Sequence, residues 1–141
     1  MSRVFAPDLV LRRDGAPIIV VEAKSLPIAA EFRNAVRLQM QAYAEQTGSP
    51  WSLLIDPERA LLFRWLDTEK PYAEIPSREI VVAGGMADAP VVGERVLVGC
   101  AERWLRKLPD LPDFLRRYPG LVDLARALGS GNELEDERHY G

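Results

Sequence analysis

The stretch PDLVLRRDGAPIIVVEAKS, residues 7–25, decides how this chain is read. Residues 17–23 (PIIVVEA) are rich in β-branched side chains and apolar nearly throughout, which predicts a strand buried on both faces in the middle of a sheet. Residues 7–11 (PDLVL) predict a second strand. Between the two, Asp14-Gly15 is a tight-turn signal, so the pair reads as a β-hairpin. Residues two apart on a strand point to the same side of a sheet. Glu22 and Lys24 therefore face one way at the end of an apolar strand, while the small Ala23 faces the other.

Burying either charge alone costs several kcal/mol, so each needs a partner, a metal or water. The hairpin brings Asp8 close to Glu22 from the neighbouring strand. Two carboxylates converging there repel each other. A divalent cation that prefers hard oxygen ligands, Mg²⁺ or Mn²⁺, resolves that repulsion. Such an ion polarises a phosphoryl oxygen and activates a water. Lys24 beside it is placed to orient that water or to offset charge building on a phosphate. The pattern suits metal-assisted phosphodiester hydrolysis.

Working outward, residues 28–47 predict the longest helix, stopped by Gly48 with Pro50 just beyond. Phe32, Val36, Gln39 and Tyr43 share one of its faces at i, i+4, i+7 and i+11. Gln39 stands where an apolar residue is expected. A buried amide must find partners, and Lys24, a catalytic water or a nucleic-acid phosphate would serve. Tyr43, one turn on, offers its hydroxyl in the same direction. Residues 51–56 and 60–66 predict two further strands joined by a turn at 57–59. A helix lying between strands is an α/β pattern. Residues 67–78 read as a loop, and 79–83 and 91–98 as short strands separated by a glycine-containing loop. Residues 100–108 and 111–128 read as helical, with Pro119-Gly120 breaking the second stretch. We expect one domain over residues 1–128 and a disordered acidic tail over 129–141.

Pro7-Asp8, a short hairpin, and then Glu22-Ala23-Lys24 together resemble the PD-(D/E)xK nuclease superfamily. The phrase is closest in look to the nuclease domains of type I restriction-enzyme motor subunits. Gln39 and Tyr43 match the QxxxY motif that follows the ExK strand in many relatives, RecB-type nucleases among them. The resemblance covers residues 4–66. It implies a restriction-endonuclease-like α/β fold, a mixed sheet flanked by helices, with a helical C-terminal part added here. It also implies that Asp8 and Glu22 bind Mg²⁺ or Mn²⁺, that Lys24 assists the attacking water, and that DNA is the substrate. The family has a helix and a strand before its PD strand, whereas here only residues 1–6 precede Pro7. The fold is thus expected to be N-terminally abbreviated: the missing elements precede this sequence, come from a homodimer or a partner chain, or have been lost. A catalytically inactive or partner-dependent nucleic-acid-binding module of the same fold is the alternative.

The 141 residues, 48% hydrophobic and with net charge −3, fit a single domain with a real core rather than a strongly basic DNA binder. Acidic residues gather in the last thirteen positions, leaving a near-neutral body that can still present a local basic face. Arg33 and Arg37, one turn apart, are candidate phosphate contacts. Arg103, Arg106, Lys107, Arg116 and Arg117 form a C-terminal basic cluster. The single cysteine, Cys100, sits in an apolar run and reads as a buried small hydrophobe, in keeping with a reducing, cytoplasmic setting. One histidine, His139, and one cysteine exclude the usual zinc sites. The chain lacks an apolar run near the roughly 20 residues that span a bilayer, and it lacks a GxxxxGK[ST] phosphate loop.

Overall fold

A computed structural model describes residues 6–65, 72–85 and 93–138. Its centre is the hairpin of β1 (Leu9–Arg13) and β2 (Ala16–Ala23), which pair antiparallel with Leu9 opposite Val21 and Leu11 opposite Ile19. Asp14 (φ 52°) and Gly15 (φ 80°) both take left-handed backbone at the turn. Two successive positive φ angles match the right-handed twist of the flanking strands, which is why an Asp-Gly pair stands there. After β2 the chain passes a short 3-10 turn at Ala30–Phe32 and enters α1 (Arg33–Thr47). Gly48 (φ 76°) ends α1 in the left-handed region, its N–H bonded to the Ala44 carbonyl at 2.8 Å. β3 (Trp51–Ile55) then returns parallel to β2, with Glu22 beside Leu54. β4 (Arg59–Arg64) and β5 (Ala73–Pro76) add antiparallel strands.

The result is an α/β fold: a six-stranded mixed sheet in the order β5-β4-β3-β2-β1, closed by a sixth strand, with helices on both faces. The two sheet faces bury different sets. Leu9, Leu11, Ile19, Val21, Leu53 and their neighbours pack beneath α2 (Ser77–Ala83), α3 (Glu94–Lys107), α4 (Pro112–Arg117) and α5 (Val122–Leu128). Val10, Val20, Leu54, Leu61 and Phe63 pack on the opposite face with Met40 and Tyr43 of α1. β2 lies mid-sheet and residues 19–23 are buried, as its β-branched run implies. Cys100 is fully buried, and burial pushes its thiol pKa up, away from nucleophile chemistry.

Several expectations are corrected. Residues 73–76 form β5 rather than a loop, and 67–71 lie outside the described residues. Residues 79–83 belong to α2, not a strand. Ile80 and Val81 are buried while Val82 is exposed, the wrap of a helix rather than the alternation of a strand. Residues 94–98 begin α3, whereas 91–92 lie outside the described residues. The acidic tail is not disordered over 134–138. It forms β6 (Leu134–Arg138), antiparallel to β1, with Leu9 opposite Arg138 and Arg13 opposite Leu134. His139 lies outside the described residues.

β6 carries little apolar surface, so its attachment rests on the ladder and on ion pairs. Arg12 meets Glu137 at 3.2 Å, and Arg138 reaches the buried Glu102 of α3. Arg106 bonds both Glu102 (3.0 Å) and the Leu134 carbonyl (2.9 Å). Several members of the expected C-terminal basic cluster are likewise paired. Arg117 pairs with Glu79 and Arg116 with Asp113, while Lys107 donates to the Gly84 carbonyl at 3.4 Å. No helix of the described residues is long and apolar enough to cross a membrane.

Candidate functional site

The site lies where β2 ends. The register that sets Leu9 against Val21 carries on one step and sets Asp8 against Glu22. Asp8 stands just before β1, and one of its carboxylate oxygens accepts the Ala23 N–H at 2.9 Å. Its carboxylate thus caps the end of β2 while facing Glu22. Glu22 projects onto the α1 side of the sheet, two residues beyond the buried Val20, and is only 6% exposed. On the other side of the strand Ala23 packs into the larger core.

Burial is the first cause that pushes the Glu22 pKa up, to about 8. A hydrogen bond shared with the Asp8 carboxyl and the Asp8 negative charge push in the same direction. The nearby Lys24 charge and a hydrogen bond from Tyr43 oppose them. Glu22 therefore holds a proton near neutral pH, placed between two carboxyl groups that cannot both ionise cheaply.

α1 supplies the roof. Gln39 donates through Nε2 to the Tyr43 hydroxyl at 3.0 Å, one helical turn away. The Tyr43 hydroxyl in turn donates to Glu22. Burial and the Glu22 charge push the Tyr43 pKa up to about 12, so it stays a proton donor. The Gln39–Tyr43 pair on one side and Asp8, held by the Ala23 N–H, on the other thus both act on Glu22. Within the protein the Gln39 amide donates to Tyr43, which was not among the expected partners: Lys24, a catalytic water or a nucleic-acid phosphate. Phe32 does not share the buried face of α1: it ends the 3-10 turn before the helix and is exposed.

Lys24 follows β2, and its backbone N–H bonds the Ile55 carbonyl at 2.9 Å, extending the pairing with β3 by one residue. Its side chain is half-buried and within electrostatic reach of Glu22. Site residues thus cluster beyond the C-terminal ends of the parallel strands β2 and β3, the usual place for ligands in open α/β sheets. Arg33 and Arg37 do not enter this network. Arg33 pairs with Glu74 at 3.5 Å, and Arg37 donates to Asn34 at 3.1 Å.

One residue escaped notice in the sequence. Asp56, buried at the end of β3, uses one oxygen to accept the Glu58 and Arg59 N–H groups at 2.7 and 2.8 Å. Its other oxygen accepts the Ile28 N–H at 3.0 Å. It thereby fastens the 24–29 segment, and with it Lys24, to the β3–β4 turn. The available signal was Asp56-Pro57, since an aspartate before proline favours a side-chain-capped turn. Asp56→Ala is expected to lower stability by about 3 kcal/mol, because three part-buried N–H groups lose their shared acceptor. Urea denaturation of the two proteins measures this, and a loss under about 1 kcal/mol would contradict the role.

Among the described residues no group of three or more His, Cys, Asp or Glu side chains converges. Asp8 and Glu22 nevertheless offer the hard-oxygen pair that Mg²⁺ uses, since Mg²⁺ binds through one or two carboxylates and keeps several waters. The residues present fit the ion. The chain matches no protein-family model, no curated protein and no solved structure.

Proposed function

We propose that this chain hydrolyses DNA phosphodiester bonds in a Mg²⁺- or Mn²⁺-dependent reaction, with a restriction, repair or defence setting as its context. The observation that carries the reading is the Asp8–Glu22 carboxyl pair, joined by a hydrogen bond at the end of a buried strand with Lys24 beside it. An ion held between Asp8 and Glu22 would supply Lewis-acid polarisation of a phosphoryl oxygen and a water of lowered pKa. The chain's own groups have distinct work. Asp8 is fixed in direction by the Ala23 N–H, so its free lone pairs face Glu22. Tyr43, oriented by Gln39, holds the Glu22 carboxyl in one rotamer and favours its ionised form. Lys24 neutralises charge that builds on the phosphate and orients the attacking water.

The test is plasmid cleavage with Mg²⁺ or Mn²⁺, with and without EDTA. Lys24→Ala is expected to reduce cleavage by about 10²–10³-fold, the usual loss on removing one charge-stabilising group, with an unchanged circular dichroism spectrum. Undiminished cleavage by this variant would remove Lys24 from the mechanism. A folded wild-type chain that never nicks DNA at high protein concentration would instead favour a binding or assembly module of the same fold.

A further inference from the structure

Beside Lys24 the surface opens into a cleft of about 340 Å³, whose lining includes Leu26, Ile28, Phe32 and Val36. Two of these are conspicuous. Leu26 is 74% exposed and Phe32 is 59% exposed, the largest exposures among the described bulky apolar residues. They do not sit on a loose loop. The Lys24 N–H is bonded to Ile55 and the Ile28 N–H to Asp56, so the 24–32 segment is tied to the sheet at two points before it enters α1. The fold therefore presents an aromatic ring and an aliphatic side chain to solvent in a fixed place, next to the lysine of the carboxylate pair.

We propose that this cleft is a subsite for an unpaired nucleobase next to the scissile phosphate, with Phe32 as its stacking platform, so that the preferred substrate is single-stranded DNA. The inference rests on the nuclease reading above and adds the substrate class. Three observations favour a base over other occupants. The cleft is continuous with the candidate site, because Lys24 belongs to both, so a phosphate at Lys24 leads directly into it. Its walls are mostly apolar with an aromatic member, which suits a base face, and base–aromatic stacking is tolerant of sequence. Glu94, at the start of α3, completes the lining with a carboxylate that repels a second phosphate and can accept from an exocyclic amino group. A paired base within a duplex has both faces covered by its neighbours and cannot reach Phe32 without being extruded.

Fluorescence anisotropy of the full chain in EDTA, with a labelled oligodeoxynucleotide as single strand and as blunt duplex, separates binding from catalysis. The single strand is expected to bind about tenfold tighter than the duplex. Phe32→Ala is expected to lose about tenfold on the single strand and nothing on the duplex, while Phe32→Trp retains wild-type affinity. A strand with abasic positions should be bound equally by wild type and Phe32→Ala. Equal single-strand affinity for wild type and Phe32→Ala, or a preference for duplex, overturns the inference. So does light scattering that shows a wild-type dimer turned monomeric by Phe32→Ala, since the ring would then be covering a second copy. Cleavage that requires Lys24 but is indifferent to Phe32 overturns the base subsite and leaves the nuclease reading standing. Absence of both cleavage and nucleic-acid binding removes both.

Discussion

Glu22→Gln is expected to lower metal-dependent DNA cleavage by about 10³-fold or more, while making the protein more heat-stable above neutral pH. The first effect follows from removing one of two carboxylates available to the ion, leaving an amide with no negative charge. The second follows from the state of Glu22 in the metal-free fold. Its pKa stands at about 8 against an ordinary value of 4.5, so the fold prefers the neutral acid. An acid whose pKa is raised by folding contributes its stability in full below the unfolded value. That contribution is lost as pH climbs from about 4.5 through about 8. The amide has the shape of the protonated acid, can still donate to Asp8 and accept from Tyr43, and never ionises. Thermal melts without metal should therefore show a wild-type Tm that declines across this window and a Glu22→Gln Tm that stays nearly flat. A variant that keeps its cleavage, or shares the wild-type slope, would show that Glu22 has been misassigned.

The second large effect joins the same proton to the ion. Binding Mg²⁺ between Asp8 and Glu22 requires the shared proton to leave. Apparent Mg²⁺ affinity is therefore expected to rise about tenfold per pH unit well below the Glu22 pKa, roughly fiftyfold from pH 6 to pH 8, and to level off above it. Calorimetry at pH 7 in two buffers of different ionisation enthalpy should count about one proton released per ion bound. Tyr43→Phe removes a donor that favours the ionised carboxyl, so it should move the plateau to higher pH. Affinity that ignores pH between 6 and 8 would mean that the ion, if it binds, does so elsewhere.

The parts of the fold that could be read from the chain were those whose local chemistry allows one answer. Asp14-Gly15 requires a turn with two positive φ angles, and PIIVVEA fits little but a buried strand, so the hairpin and the meeting of Asp8 with Glu22 followed. Residues 79–83 (EIVVA) and 94–98 (ERVLV) were misread for a general reason. Short β-branched runs are compatible with either a strand or a buried helix, and only packing beneath the sheet decides. The partner of Gln39 was equally hidden. Its i+4 spacing to Tyr43 was in plain view, but whether the amide turned along the helix or toward Lys24 depended on where Glu22 drew the tyrosine hydroxyl. The phase of Phe32 failed because the 3-10 turn before α1 breaks the helical repeat.

Residues 134–138 gave the least warning, since LEDER has the composition of a solvated tail. As β6 it covers the open edge of β1, the strand that leads out of Asp8. That pairing has a temporal consequence. During synthesis on the ribosome, the strand that shields β1 emerges 125 residues after its partner, as the Arg12–Glu137 contact measures. Until then the nascent chain carries an unprotected apolar edge next to its carboxylate pair, and contacts so distant along the chain form slowly. Ribosome-stalled chains ending before residue 134 should therefore recruit holdase chaperones at β1, and emergence of residues 134–138 should end that dependence.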